Sequence, residues 1–212
     1  MVLKLTTTNR KLNLNTPNKL TILRVLLSPL VLLFLMLDFP FHNLIAMAVF
    51  GAAALTDLFD GRIARSRNLV TNLGKFLDPI ADKMLTTAAF LGFLVIGRLD
   101  VWAVMLVLTR EFMVATIRML AAKDDVVVAA DFAGKAKTVA QFVSILFMFA
   151  ALEFASWQHT LLAGFALPDL LFSVPLVIGH VLIWVSVVLT LISGCQYVWS
   201  YRRYLMDPEE EH

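Results

Sequence analysis

The stretch "TDLFDGRIARSRNLVTNLGKFLDPIAD", residues 56–82, places Asp57, Asp60, Asp78 and Asp82 among Arg62, Arg65, Arg67 and Lys75. Around it the chain is far more apolar than a soluble domain: of 212 residues, 59% are hydrophobic and 16% charged, and the mean hydropathy is +0.80. That composition points to a lipid environment. A bilayer core takes roughly 20 apolar residues per helical span. Apolar segments occur at about 20–37, 43–59, 84–97, 101–122, 138–155 and 174–199. An all-α integral membrane protein with six transmembrane helices is predicted. Strands are not expected, because an open sheet edge cannot be satisfied in lipid and the alternating pattern of an outer-membrane barrel is absent.

Residues 1–19 read as a short N-terminal cytoplasmic juxtamembrane segment, 20–203 as the six-helix domain and 204–212 as an acidic, solvated tail. The N-terminal segment is basic but has no apolar core, and no small-residue cleavage site ends the run that follows, so that run is read as a retained span. The stretch "TLLAGFALPDLLFSVPL" (160–176) holds two prolines and one charge and is expected to be a partly interfacial loop. The lone Cys195 has no partner in the chain for a disulfide or a thiolate metal cluster. With the N-terminus placed in the cytoplasm, all but Arg98 of the 18 Lys and Arg fall on cytoplasmic segments or the helix ends adjoining them. By the positive-inside rule both termini are expected in the cytoplasm.

On a helix, at about 100° per residue, Asp57, Asp60, Gly61 and Ala64 share one stripe with Arg65 at its border. Gly61 and Ala64 leave room against the backbone, and Arg65 can reach a phosphate there by a bidentate contact. Asp78 and Asp82, at i and i+4, share a face of the next helix. Because one helix runs inward and the next starts at the same surface, the four carboxylates are expected to meet near the cytoplasmic boundary. Uncompensated, they would repel one another at a cost of several kcal/mol near a membrane. All-oxygen ligands suit a hard divalent ion, commonly magnesium shared with substrate phosphates, and two bridged ions suit four carboxylates better than one. A pair of aspartates such as "DLFD" alone is more often a cap or a solvated face. Here the first pair lies in the C-terminal half of its helix, where the macrodipole disfavours it.

The pattern D-x-x-D-G-x-x-A-R, eight residues, then G-x-x-x-D-x-x-x-D is present at every fixed position: Asp57, Asp60, Gly61, Ala64, Arg65, Gly74, Asp78 and Asp82. It resembles the signature of the CDP-alcohol phosphatidyltransferase family of integral membrane enzymes. The resemblance implies a six-helix homodimer with a cytoplasmic-side active site and two divalent cations, Mg2+ or Mn2+. By that carry-over Asp57 and Asp78 bridge both ions and Asp60 holds one. Asp82 holds the other and is also the catalytic base. Gly61, Ala64, Arg65 and Thr71, with Asn18 and Thr21, would bind CDP-diacylglycerol.

Outside the signature, "NTPNKLTILRVLLSPL" (15–30), "TREFMVATIRMLAA" (109–122) and "GKAKTVAQ" (134–141) are similar to the bacterial branch of the family that uses glycerol 3-phosphate as acceptor. That dianion needs a cationic pocket, for which Arg110, Arg118, Lys135 and Lys137 are the candidates. Arg118 near a helix end could instead snorkel to the interface. Lys135 and Lys137 do not share a face, so one is expected to reach substrate fully, and Lys135 is preferred. Glu111 is not expected to cancel Arg110, because adjacent helical residues point about 100° apart. Trp102, Trp157, Trp184 and Trp199 read as interfacial anchors or core, and the scattered His42, His159, His180 and His212 are assigned no role.

The expected reaction makes phosphatidylglycerol phosphate and CMP in a bacterial inner membrane, with membrane lipids around the protein and no nucleic-acid partner. Inositol phosphate, serine or phosphatidylglycerol remain alternative acceptors under the same signature. An ion-coupled transporter is the rival from another class, since intramembrane aspartates also mark ion pathways. Against it, no second polar cluster continues a path across the membrane.

Overall fold

The computed structural model describes the backbone of residues 16–67, 72–123 and 132–202 and the side chains of 18–56, 80–81, 83–121 and 134–202. Within these residues there are six helices and no strand: α1 Thr16–Met36, α2 His42–Arg67, α3 Asn72–Val95, α4 Val101–Lys123, α5 Phe132–Ser156 and α6 Asp169–Tyr201. The helices are longer than the apolar segments that announce them. α1 starts before residue 20, α5 before 138, and α2 and α3 carry the charged signature as helix. Hydropathy marks only the part of a helix that sits in lipid, whereas backbone hydrogen bonding runs on into the polar turns.

Among the described residues, three helices are long and apolar enough to cross a membrane: Asn18–Met36, Gly134–Ser156 and Asp169–Tyr201. The apolar parts of α2 and α3, His42–Thr56 and Lys83–Val95, are shorter. Their remaining turns are occupied by the signature.

The loop expected at 160–176 is smaller than that reading. Turns fill 157–164, and α6 begins at Asp169 behind Pro168, taking Pro175 inside the helix. A proline there lies past the first turn, so the N–H that would pair with the Leu171 carbonyl is missing and one hydrogen bond of this 33-residue helix is given up.

Contacts at the helix ends fix the directions. Leu35 late in α1 packs on Gly92 late in α3, where a Cβ would collide with it, so these two run together. The Leu44 amide at the start of α2 donates to Glu153 near the end of α5 at 3.2 Å, so these run opposed. Arg110 of α4 meets Ser193 of α6, and Arg118 meets Tyr197, so α4 and α6 run together. The odd-numbered helices therefore oppose the even-numbered ones. The start of α1, α3 and α5 and the end of α2, α4 and α6 share one end of the bundle. At the other end α3 closes with Gly97 at φ 69, its N–H on Leu94 O and the Arg98 N–H on Phe93 O at 2.7 Å. That is the glycine-terminated turn in which a left-handed residue satisfies the last carbonyls.

An aromatic cluster of Phe50, Phe93, Phe142 and Phe149 joins α2, α3 and α5, with ring centroids 5.1–5.8 Å apart. The outward faces are apolar as well as the core. On α6, Val177, Val181, Val185, Val188 and Ile192 face outward, while Ser186, Thr190 and Ser193 are buried. Small polar residues inside and a continuous apolar exterior are what a helix packed in lipid requires. Trp102 and Trp199, near opposite ends of the bundle, are more than two-thirds exposed, as interfacial anchors should be.

Candidate functional site

α1 contributes one buried stripe: Asn18, Thr21, Arg24, Ser28, Val31 and Leu35. It is polar where α1 begins and apolar where it ends. The polar half therefore lies at the same end of the bundle as the first turns of α3 and the last turns of α2. Asp57 and Asp60 belong to the last turns of α2, and Asp78 and Asp82 to the first turns of α3. The side chains of Asp57, Asp60, Gly61, Ala64, Arg65, Asp78 and Asp82, and Thr71 entirely, lie outside the described residues. Asn18 and Thr21, expected at the donor site, are both buried within the polar half of the α1 stripe.

Immediately after Asp82 in α3 comes Lys83, and around it the described side chains build a cavity of about 610 Å³ between α3, α4 and α5. Lys83, Arg110, Arg118, Lys135 and Lys137 line it, with Glu111 as the one carboxylate among the described lining residues. All four residues expected to bind the acceptor's phosphate are thus brought to one cavity. Five cations against one anion make it strongly electropositive, and its low-dielectric walls focus that potential.

Each cation is held differently. Arg110 is 7% exposed. Its Nη2 donates to Ser193 Oγ at 2.8 Å and its Nη1 to Glu111 Oε1 at 3.1 Å. The close passage of its stem over α6 depends on Gly194, where a Cβ would lie 2.7 Å from Arg110 Cγ. Arg118 Nε donates to Tyr197 Oη at 3.1 Å, with the guanidinium 5.6 Å from the Tyr197 ring centroid. Such contacts hold Arg118 on α6 more firmly than snorkelling to the interface would. Lys137 is buried and ion-paired to Glu111, whereas Lys135 is exposed on the cavity wall. Both lysines therefore reach the cavity, one at depth and one at the rim.

Glu111 corrects the expectation that it leaves Arg110 alone. Its carboxylate accepts from Lys83 Nζ, Lys137 Nζ and Arg110 Nη1. Adjacent helical side chains leave the axis at different angles, yet both of these are long enough to bend back to a common point. Neither Glu111 nor Lys83 is part of the signature, and a charge next to a charge in an apolar helix is the only trace of the cluster in the sequence. Ser193, Gly194 and Tyr197 carried no such trace.

A second cavity, also about 610 Å³ and almost wholly apolar, opens between α1, α3 and α4. Pro29, Leu32, Ile80, Met84, Leu91 and Phe112 contribute to it. Lys83 and Glu111 line this groove as well as the cationic cavity, so the ion pair forms a wall shared by the two.

The profile of the CDP-alcohol phosphatidyltransferase family matches residues 14–192 of the chain. A protein of Bacillus subtilis (strain 168) named CDP-diacylglycerol–glycerol-3-phosphate 3-phosphatidyltransferase is 35% identical over 195 residues, covering 86% of this chain and 93% of the relative. One of the same name from Rickettsia bellii (strain RML369-C) is 33% identical, covering 92% of this chain and 99% of its own. A probable phosphatidylglycerophosphate synthase of Mycobacterium tuberculosis (strain ATCC 25618 / H37Rv) is 35% identical over 87% of this chain and 80% of its own. With a profile match that runs from the start of α1 into α6, and relatives of this identity aligned over most of both lengths, the chain belongs to the CDP-alcohol phosphatidyltransferase family.

Proposed function

We propose that the protein transfers a phosphatidyl group from CDP-diacylglycerol to glycerol 3-phosphate, giving phosphatidylglycerol phosphate and CMP. The observation that carries this reading is the wall shared by a cationic cavity and an apolar groove, directly beyond the signature on α3. A lipid donor needs the groove for its acyl chains, and a small dianionic acceptor needs the cations. Purified protein with labelled CDP-diacylglycerol should release CMP and form lipid product with glycerol 3-phosphate. Comparable turnover with inositol phosphate, serine or phosphatidylglycerol, and none with glycerol 3-phosphate, would assign it to another acceptor.

The family generally uses divalent metal ions. Asp57, Asp60, Asp78 and Asp82 belong to the adjoining ends of α2 and α3 in the chain, and carboxylate oxygens are the donors a hard cation prefers. Asp57, Asp60, Asp78 and Asp82 would hold two Mg2+ or Mn2+ ions, Asp57 and Asp78 serving both. When bound, such ions neutralise diphosphate charge and stabilise the CMP leaving group. Asp82 takes the proton from the acceptor hydroxyl as that oxygen attacks the lipid-bearing phosphorus. Gly61, Ala64, Arg65 and Thr71, together with Asn18 and Thr21, seat the CDP moiety. Arg110, Arg118, Lys135 and Lys137 hold the acceptor's phosphate beside the reacting hydroxyl, and this positioning is a main source of rate in phosphoryl-type transfer.

Gly194→Ala tests the acceptor assignment from a residue outside the cavity lining. The added methyl displaces Arg110, so the KM for glycerol 3-phosphate is expected to rise about fivefold, equivalent to ~1 kcal/mol. The KM for CDP-diacylglycerol should stay unchanged. An equal rise in both would mean a general disturbance of the fold.

The protein spans the bacterial inner membrane six times with both termini in the cytoplasm, in support of which stands the cation asymmetry. Cys195 is exposed and free, so labelling needs a Cys195→Ala background. There Asn68→Cys is expected to react from the cytoplasmic side and Asp100→Cys from outside. The reverse pattern would overturn the orientation, and reaction of both from one side would overturn the span count. The assembly is a homodimer, as the family resemblance implies. Crosslinking in vesicles that yields only monomer would remove that part of the reading.

A further inference from the structure

Glu111 is an odd component of a phosphate site. It is a buried carboxylate, 9% exposed, inside the cavity whose cations are needed for an anion, and it engages three of them. Its partners come from three helices: Lys83 on α3, its neighbour Arg110 on α4 and Lys137 on α5. Arg110 in turn is tied to Ser193 on α6, so the carboxylate sits at the centre of a network linking four helices. Without an anion there, Lys83, Lys137 and Arg110 would repel one another, and a buried ammonium left uncompensated is strongly disfavoured. Both Glu111 oxygens are in use, Oε1 by Lys137 and Arg110 and Oε2 by Lys83. A phosphomonoester offers three oxygens in a similar volume with up to twice the charge, and it can satisfy the same donors.

Building on the acceptor reading above, we propose that Glu111 is an internal stand-in for the acceptor's phosphate. Before the acceptor binds, it gathers Lys83 and Lys137 at the spacing an anion requires. The phosphate of the acceptor then takes over those ammonium groups. Glu111 is therefore a positioning residue that competes with the ligand for its own binding groups. The protein gains a cavity that stays assembled without substrate, and a cavity that releases a phosphorylated product readily, because the carboxylate is at hand to reclaim the lysines. Lys83 extends the consequence to the chemistry. It follows the proposed base directly in the chain and lines the apolar groove as well, so the exchange would be sensed at the reacting end and at the lipid end of the site.

A purely structural ion-pair hub and a stand-in predict opposite signs for one measurement. Removing a competitor raises the fraction of protein ready to bind anion, so apparent affinity improves. Removing a scaffold lowers it. The variant is Glu111→Gln in the full-length protein in detergent or vesicles, and the probe is inorganic phosphate. Glu111→Gln is expected to lower the apparent Kd for inorganic phosphate, and its inhibition constant against glycerol 3-phosphate, by about threefold or more. It should have a reduced Tm in phosphate-free buffer and a larger phosphate-induced rise in Tm than wild type, since a ligand stabilises the state it binds. The KM for glycerol 3-phosphate should fall together with kcat.

Unchanged or weakened phosphate affinity would overturn the proposal, and in that case wild-type transfer to glycerol 3-phosphate would still stand. If Glu111→Gln fails to fold without phosphate, purification in phosphate is expected to rescue it, and failure of that rescue also overturns the stand-in role. Absence of any phosphomonoester effect on the wild-type protein would overturn both this role and the acceptor reading.

Discussion

Asp57→Asn and Asp78→Asn are each expected to bring phosphatidyl transfer to background, a loss of roughly a thousandfold or more and so at least about 4 kcal/mol of transition-state stabilisation. Each is proposed to serve both ions, so a single amide lowers the charge at two positions while barely changing shape. The rest of the donor site then faces diphosphate charge that is no longer neutralised, in surroundings where electrostatic interactions are poorly screened. The variants should remain folded, because removing one of several clustered like charges relieves repulsion. Steady-state CMP release with Mg2+ or Mn2+, beside a thermal melt, makes the measurement. Retention of more than about a tenth of wild-type turnover by Asp57→Asn, a loss under ~1.4 kcal/mol, would end the two-ion assignment.

Asp82→Asn should also abolish transfer, but through a different step. As the base, Asp82 acts on the acceptor's hydroxyl, so its loss is expected to leave CDP-diacylglycerol affinity within a few-fold of wild type. Single-turnover transfer to glycerol 3-phosphate should fall by a factor on the order of 10²–10⁴, the usual contribution of general base catalysis. Donor binding in the presence of Mg2+ separates the roles. If donor affinity collapses as far as in Asp57→Asn, Asp82 is chiefly a metal ligand. If Asp82→Asn transfers substantially, neither role holds. The charge of Lys83, next in the chain, is already committed to Glu111.

The all-helical architecture was open to inspection in the sequence because lipid imposes a local rule. Backbone groups must be satisfied within each segment, so each apolar run becomes a helix on its own account. The signature was legible for a related reason: its spacing lies within two neighbouring helices, where helical periodicity alone puts Asp57 with Asp60 and Asp78 with Asp82. The cationic residues Arg110, Arg118, Lys135 and Lys137 could be nominated because their segments resemble the branch of the family that takes glycerol 3-phosphate, a dianion that needs cations, and the fold brings all four to one cavity.

Helix ends were the poorer part of that reading. Hydropathy is blind to polar turns, so the start of α5 was placed late, and the last segment was begun at about 174 although α6 starts at Asp169. What held Arg110 and Arg118 in place was equally invisible. Ser193, Gly194 and Tyr197 look like ordinary residues of an apolar helix until α4 is laid beside α6.

Sequence by itself therefore determined the helical class, the helix order, the signature and the family, all of which depend on neighbours within a few turns. Only the tertiary structure decided how the charges outside the signature are partnered. Glu111 meets Lys83 across 28 residues and Lys137 across 26, and Arg110 meets Ser193 across 83. No periodicity extends over such separations, and a buried carboxylate is neutralised by whichever cations packing brings within reach.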